Sequence, residues 1–275
     1  MDDAAPVSQP RTGANPRRAV AMLRIAIVVT ILVGWEAVAA SGLLYRDVVP
    51  SLAAISRAIA RLLFDAGFYA NLGVTAMEIA VALVIGGSFG LAIGIALGAN
   101  RFASLAYESL VYYLGPTPKI IFFPVMIMWF GVGPGSKIAM GVVSCFFPIV
   151  ISAAAGMRQI DPVLIRVGQS FRASTWQMVR KIYLPAMRLP IVNGVRLGLG
   201  VAVIGTLLAE TKLSNRGIGY LIIQAYSTFD MPRMYALLIV LFVLAIGANA
   251  LISRLGRVSP PTHGKRVANP WQTTG

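Results

Sequence analysis

The chain has 275 residues, 57% apolar and only 12% charged, with a mean hydropathy of +0.75. An ordinary soluble domain carries about one quarter charged residues, so this composition excludes one and leaves an all-α polytopic membrane protein. One cysteine and one histidine, Cys145 and His263, exclude an internal disulfide, a thiolate metal cluster and a histidine-based metal or catalytic site.

In chain order, residues 1–24 read as a polar basic tail carrying Arg11, Arg17, Arg18 and Arg24. The transmembrane domain follows over 25–255, and 256–275 form a second polar tail. The run Ile25–Leu44 is the first span, since twenty residues at about 1.5 Å each cover the roughly 30 Å bilayer core. Ala37-Val38-Ala39 resembles a leader cleavage site. However, the run is longer than a leader's apolar region and Glu36 interrupts it, so it is read as a span. Ser51 caps an amphipathic helix over 52–66, with Leu52, Ile55, Ile59 and Leu62 on one face and Arg57 and Arg61 on another. That helix is expected along the membrane surface.

The second span runs over about 72–98. Gly86, Gly90, Gly94 and Gly98 recur every fourth residue and form one bare stripe, against which another helix can pack closely. The third span, 105–130, contains Pro116, Pro118 and Pro124. Proline removes a backbone donor and kinks the helix, and the freed carbonyls need a protein or aqueous lining. This span is therefore a candidate border of a translocation pathway. Lys119 within it has two readings, a lysine snorkelling to an interface or a cation facing the pathway. The fourth span covers 137–156. The fifth, 191–211, carries a second small-residue stripe of Gly194, Gly198 and Ala202. Arg196 and Glu210 near its ends are read as interfacial. Residues 212–232 are read as a loop, and the sixth span covers 234–252.

Between spans four and five lies a stretch too polar for a bilayer, residues 157–190, yet patterned for structure. Asp161 before Pro162 is an N-cap followed by proline at the first helical position. Ser174 with Gln177 has capping-box spacing. Two short helices are expected, 162–171 and 175–184, the second with Trp176, Val179, Ile182 and Tyr183 on one face. The stretch holds six basic residues (Arg158, Arg166, Arg172, Arg180, Lys181 and Arg188) against one acid, Asp161.

Six spans put both termini on one side, together with this loop. That side carries fifteen Lys and Arg and the opposite side seven. The excess assigns the termini and the basic loop to the cytoplasm, and it accounts for the net charge of +14 without nucleic acid. Nucleotide-binding, zinc-protease and serine-hydrolase motifs are absent. Glu36, Glu78 and Glu108 could touch the membrane region, but they sit on different segments, whereas a proton-coupled carrier more often buries its acids in mid-span. Uphill transport by this chain would then need energy from another chain, delivered through a docking loop. A stand-alone secondary carrier or channel is the alternative.

Asp161-Pro162, Leu164, Ser170, Ala173-Ser174, Trp176 and Leu184-Pro185 together resemble the signature loop of permease subunits of bacterial ABC importers. Pro116-Thr117-Pro118-Lys119, Met128-Trp129-Phe130-Gly131-Val132-Gly133, Gly194-Val195-Arg196-Leu197, Ala209-Glu210 and Gly217-Ile218-Gly219-Tyr220-Leu221 are similar to the branch handling sulfonates, taurine and nitrate. The resemblance spans about 48–255. It implies a cytoplasmic ATP-binding subunit that holds the ATP and Mg, leaving this chain without a cofactor and noncatalytic. It further implies a second permease copy, a periplasmic or lipid-anchored solute-binding protein, and an inner-membrane location. Asp161, Arg166, Gly168, Ser170, Phe171, Arg172, Ala173, Ser174, Trp176, Leu184 and Pro185 would form the ATPase-coupling site. Two positions depart from that family. Arg166-Val167-Gly168 stands where Glu-Ala-Ala is usual, which implies a matching acidic residue on the ATPase. Arg172 stands where glycine is usual, at a turn suited to positive φ.

Overall fold

A computed structural model describes residues 16–42 and 48–256. Most of both polar tails, with Arg11, His263, Lys265 and Arg266, and the loop residue Arg46 lie outside the described residues. Those described are helical throughout, with no strand among them.

Helix α1, Pro16–Ser41, begins inside the stretch read as a polar tail. Its proline supplies a first-turn φ, so the helix takes up Arg17 and Arg18 before the apolar run starts. It is exposed along its length and meets the rest near one end. There Trp35 stacks edge-on against Tyr235 at 5.2 Å, Trp35 Nε1 donates to the Pro50 carbonyl at 3.0 Å, and Glu36 accepts from Leu52 N–H at 2.9 Å. Helix α2, Leu52–Leu63, is capped by Ser51 as expected and buries Ile55 and Leu62. Helix α3, Ala66–Ala99, starts at the Asp65 side chain, which accepts from Gly67 N–H at 2.8 Å. It stops at Asn100, whose side chain caps the next helix by accepting from Phe102 and Ala103.

The third span is not one kinked helix. Helix α4, Arg101–Leu114, and the run Lys119–Phe130, a 3-10 turn followed by α5 (Phe123–Phe130), meet at 90°. Pro116 and Pro118 donate no N–H, so α4 ends at Leu114 and the chain is helical again only from Lys119. Lys119 seals the break. Its Nζ donates to the Gly115 carbonyl and, at 3.3 Å, to that of Thr117, and it lies 5.2 Å from the Phe147 ring centre.

Helix α6, Pro134–Arg158, is the centre of the bundle. The glycine stripe of α3 lies along it. A Cβ on Gly94 would fall 2.5 Å from Ala153 Cβ and 2.7 Å from the Val150 carbonyl, and one on Gly98 would fall 2.5 Å from Met157 Cβ. Gly86 and Gly90 stand likewise against Cys145 and Ile149. Early residues of α3 thus meet early residues of α6, and the two run parallel. Helix α10, Arg188–Lys212, packs on α6 in the opposite sense, Gly194 against Ser152 and Gly198 against Ile149. The three helices close around Cys145, Ile149 and Ala202.

The stretch 212–232, read as a loop, contains helix α11, Ile218–Ser227. Ile218, Leu221 and Ala225 fall on its buried face and join Leu62, Phe68, Ala236 and Leu237 in a cluster between α2, α3 and α12 (Met231–Gly256). That spacing is a helical signal the sequence reading passed over. Among the described residues five helices are long and apolar enough to span a bilayer, and the bent pair, taken as one span, makes a sixth.

Candidate functional site

The loop leaving α6 is a rigid elbow. Asp161 caps α7 (Pro162–Ser170), its side chain accepting from Val163 N–H at 2.8 Å. Ser170 Oγ donates back to the Arg166 carbonyl at 3.0 Å. Ser174 and Gln177 form the reciprocal capping box of α8, Thr175–Met178: Ser174 N–H donates to Gln177 Oε1 at 2.8 Å, and Gln177 N–H to Ser174 Oγ at 3.3 Å. A π turn, Val179–Tyr183, and α9, Leu184–Ala186, continue the helical run to α10.

Between α7 and α8 the chain turns with Arg172 at φ 50°. Arg172 N–H donates to the Gln169 carbonyl at 2.9 Å, and Ala173 N–H to that of Gly168 at 3.0 Å. This pair of bonds is the Schellman C-cap, whose left-handed position glycine usually fills. Across this turn Gly168 lies against α8 and the π turn: a Cβ on Gly168 would fall 2.5 Å from Ile182 Cδ1 and strike the Met178 sulfur. Replacement Arg172→Gly is expected to relieve about 1 kcal/mol of backbone strain. Amide hydrogen exchange at 169–174 should then slow about fivefold; unchanged exchange would show the turn to be unstrained.

The elbow's apolar face is unpartnered. Phe171 is 82% exposed and Trp176 67%, with Val163, Leu164 and Val167 beside them. Sequence periodicity put Trp176 with Val179, Ile182 and Tyr183. The structure instead buries Met178 and leaves Trp176 outside, because the π turn adds a residue and rotates what precedes it. Arg166, Arg172, Arg180, Lys181 and Arg188 are exposed, Leu184 is half-buried and Pro185 exposed. Arg158 turns the other way and meets Glu108 of α4 at 2.7 Å, where Ser104 Oγ also donates at 2.5 Å. Pro116 and Pro118 are exposed at the α4–α5 break.

A second polar centre, missed in the sequence, lies at the end of the bundle away from the elbow. Glu78 of α3, Lys137 of α6 and Glu210 of α10 are each at most 2% exposed. Glu210, expected at an interface, accepts from Thr75 Oγ1 at 2.7 Å and from Gly219 N–H at 2.6 Å. Lys137, read as the first residue of the fourth span, donates to the Val132 carbonyl and, at 3.1 Å, to that of Gly133. Asn71 and Thr75 accept from Gly217 and Ile218 N–H at 2.7 and 2.8 Å. Of the three acids read as touching the membrane region, Glu36 and Glu108 have their own partners elsewhere, and Glu78 instead meets Glu210, which the sequence reading places at an interface. A signal for it existed: Glu78 continues the glycine stripe two turns before Gly86, and Glu210 continues the stripe of Gly194, Gly198 and Ala202. Both stripes face α6. Arg196, also expected at an interface, is half-buried and donates to Asn249 Oδ1 at 2.9 Å.

Apolar spans packed on a glycine-flanked central helix, with a capped basic elbow leaving one end, define a polytopic membrane protein. Residues 86–261 match the family described as the binding-protein-dependent transport system inner membrane component, and the chain belongs to that family. It is 31% identical to the taurine transport system permease protein TauC of Escherichia coli, with 73% of each chain covered. It is 27% identical to a Bacillus subtilis protein provisionally described as the aliphatic sulfonates transport permease SsuC, over 86% of this chain and 84% of that one. Among solved structures, an inward-facing MetNI methionine ABC transporter chain shares the fold. Its TM-score is 0.56 at 21% identity, covering 74% of this chain and 98% of that one.

Proposed function

We propose that the chain forms half of the membrane pathway of an ATP-driven importer for small anionic solutes of the sulfonate type. A separate cytoplasmic ATP-binding subunit seats on the 157–190 elbow and holds the ATP and Mg, so this chain is noncatalytic and carries no cofactor. The observation that carries the reading is the elbow itself, with aromatic side chains left bare on a turn fixed by two caps. Exposed aromatics on a rigid support, ringed by arginine, are the usual anchors of a protein interface. A docked partner moving the elbow would bias the bundle between two packings, which is how a distant ATP site opens a pathway.

A second copy of the chain completes the pathway. The break at Pro116–Pro118 and the exposed Phe102, Leu105, Tyr113, Met128 and Trp129 of α4 and α5 supply an apolar face for it. A solute-binding protein delivers cargo at the far end, both termini face the cytoplasm, and the membrane is the bacterial inner membrane. The sulfonate assignment draws on TauC and SsuC. Lys119 spends its ammonium on two carbonyls and a ring, so anion selection falls mainly to the binding protein.

Proteoliposomes containing this chain, its ATPase and its binding protein should take up taurine or an alkanesulfonate only with ATP. The double variant Phe171→Ala/Trp176→Ala should bind the ATPase at least about tenfold more weakly, since a buried aromatic anchor contributes about 2 kcal/mol or more. Its thermal midpoint should match the wild type. Uptake driven by an ion gradient without the ATPase would establish a stand-alone carrier instead.

A further inference from the structure

Two carboxylates and one ammonium are buried together between α3, α6 and α10. Their hydrogen bonds are unequal. Glu210 receives two donors, the Thr75 hydroxyl and the Gly219 amide. Thr75 in turn takes the Ile218 amide, so its own hydrogen is committed to Glu210. Glu78 stands one turn after Thr75 on the same buried face of α3 and so faces Glu210, yet its Oε2 is buried with no donor. One turn further along the bundle, the Thr206 hydroxyl is also buried without a partner. The charged group facing the two acids is Lys137, and it already serves two backbone carbonyls. With both acids ionised, two acceptors would face each other with no hydrogen between them, and one net negative charge would be buried. Like charges in contact in a low-dielectric site cannot both persist. One proton resolves both defects: it supplies the missing donor and balances the remaining carboxylate against Lys137.

We infer that Glu78 is a proton-binding site, holding one proton that it donates in a hydrogen bond to the Glu210 carboxylate. The donor inventory fixes which acid carries it, because Glu210 is served as a carboxylate and Glu78 is not. The site also ties the molecule together. Through Asn71, Thr75 and Glu210 it fastens the turn Gly217–Gly219, and with it the start of α11, to α3 and α10. Gly217, at φ 101°, and Gly219 are required there, since a Cβ on either would strike the Glu210 carboxylate. Release of the proton sets two negative charges side by side on α3 and α10 and loosens that fastening at the end away from the elbow. The site is then a proton-sensitive clasp on the far face of the bundle. It rests on the chain's own packing, whatever the solute.

Infrared difference spectroscopy on the full-length protein in lipid at neutral pH tests it. A protonated carboxylic C=O band that shifts in D2O is expected in the wild type and is expected to be lost in Glu78→Gln, where the remaining Glu210 carboxylate is balanced by Lys137. The folded wild type then binds one more proton than the unfolded chain, so its stability falls as pH rises, by up to about tenfold in the folding constant per pH unit. Glu78→Gln, whose amide still donates to Glu210, should fold and lose that slope. A wild-type spectrum without any protonated carboxyl band overturns the assignment even if the variants do not fold. So does a band that survives Glu78→Gln.

Discussion

Lys137→Met should cost about 3–5 kcal/mol of stability, the usual result of removing one partner from a buried ionic group. Methionine nearly matches the volume, so the loss isolates the charge from the packing. Two things go at once. The Val132 and Gly133 carbonyls lose their donor at the start of α6, and the buried Glu78–Glu210 pair loses the counter-charge that faces it. For a small domain a loss of that size consumes much of the total, so the solubilised variant should aggregate or melt many degrees lower. A thermal midpoint equal to the wild type's would mean that the polar centre carries no load.

Gly94→Leu should cost about 3 kcal/mol or more, because its first carbon already collides with Ala153 Cβ at 2.5 Å and with the Val150 carbonyl at 2.7 Å. Neither neighbour can rotate away: one is a methyl on the backbone, the other the backbone itself. Helices α3 and α6 must therefore separate over several turns. Gly200→Ala is the control, since nothing lies within 4 Å of that position. There alanine should stabilise the helix by about 0.5–1 kcal/mol. Equal midpoints for the two variants, measured by thermal melting in detergent, would contradict the glycine seam.

Much of the elbow could be read in the sequence because its determinants are local. Asp161-Pro162 and the Ser174–Gln177 pair act within one turn of helix, and both caps form as their spacing requires. Arg172 was legible by another route, since the resembling family has glycine at that turn between two short helices, and its φ of 50° is the positive value glycine suits. Trp176 escaped the same logic because a π turn shifted the register, and no residue type announces one. The third span was misread for a related reason. Prolines say that a helix is interrupted but not by what angle, and the right angle here is set by how Lys119 and α5 settle against α6.

The polar centre shows where local reasoning stops. The sequence by itself determined a membrane-embedded helical chain, where it turns, which segment is too polar for lipid and which helix faces are bare. These follow from composition, hydropathy and short-range spacing. The tertiary structure alone decided that Glu78, Lys137 and Glu210, scattered over more than a hundred residues of chain, are buried together. That depends on two helices choosing the same central partner and on the parallel and antiparallel senses of their packing. Those choices are fixed by long-range contact between glycine stripes and a neighbouring backbone.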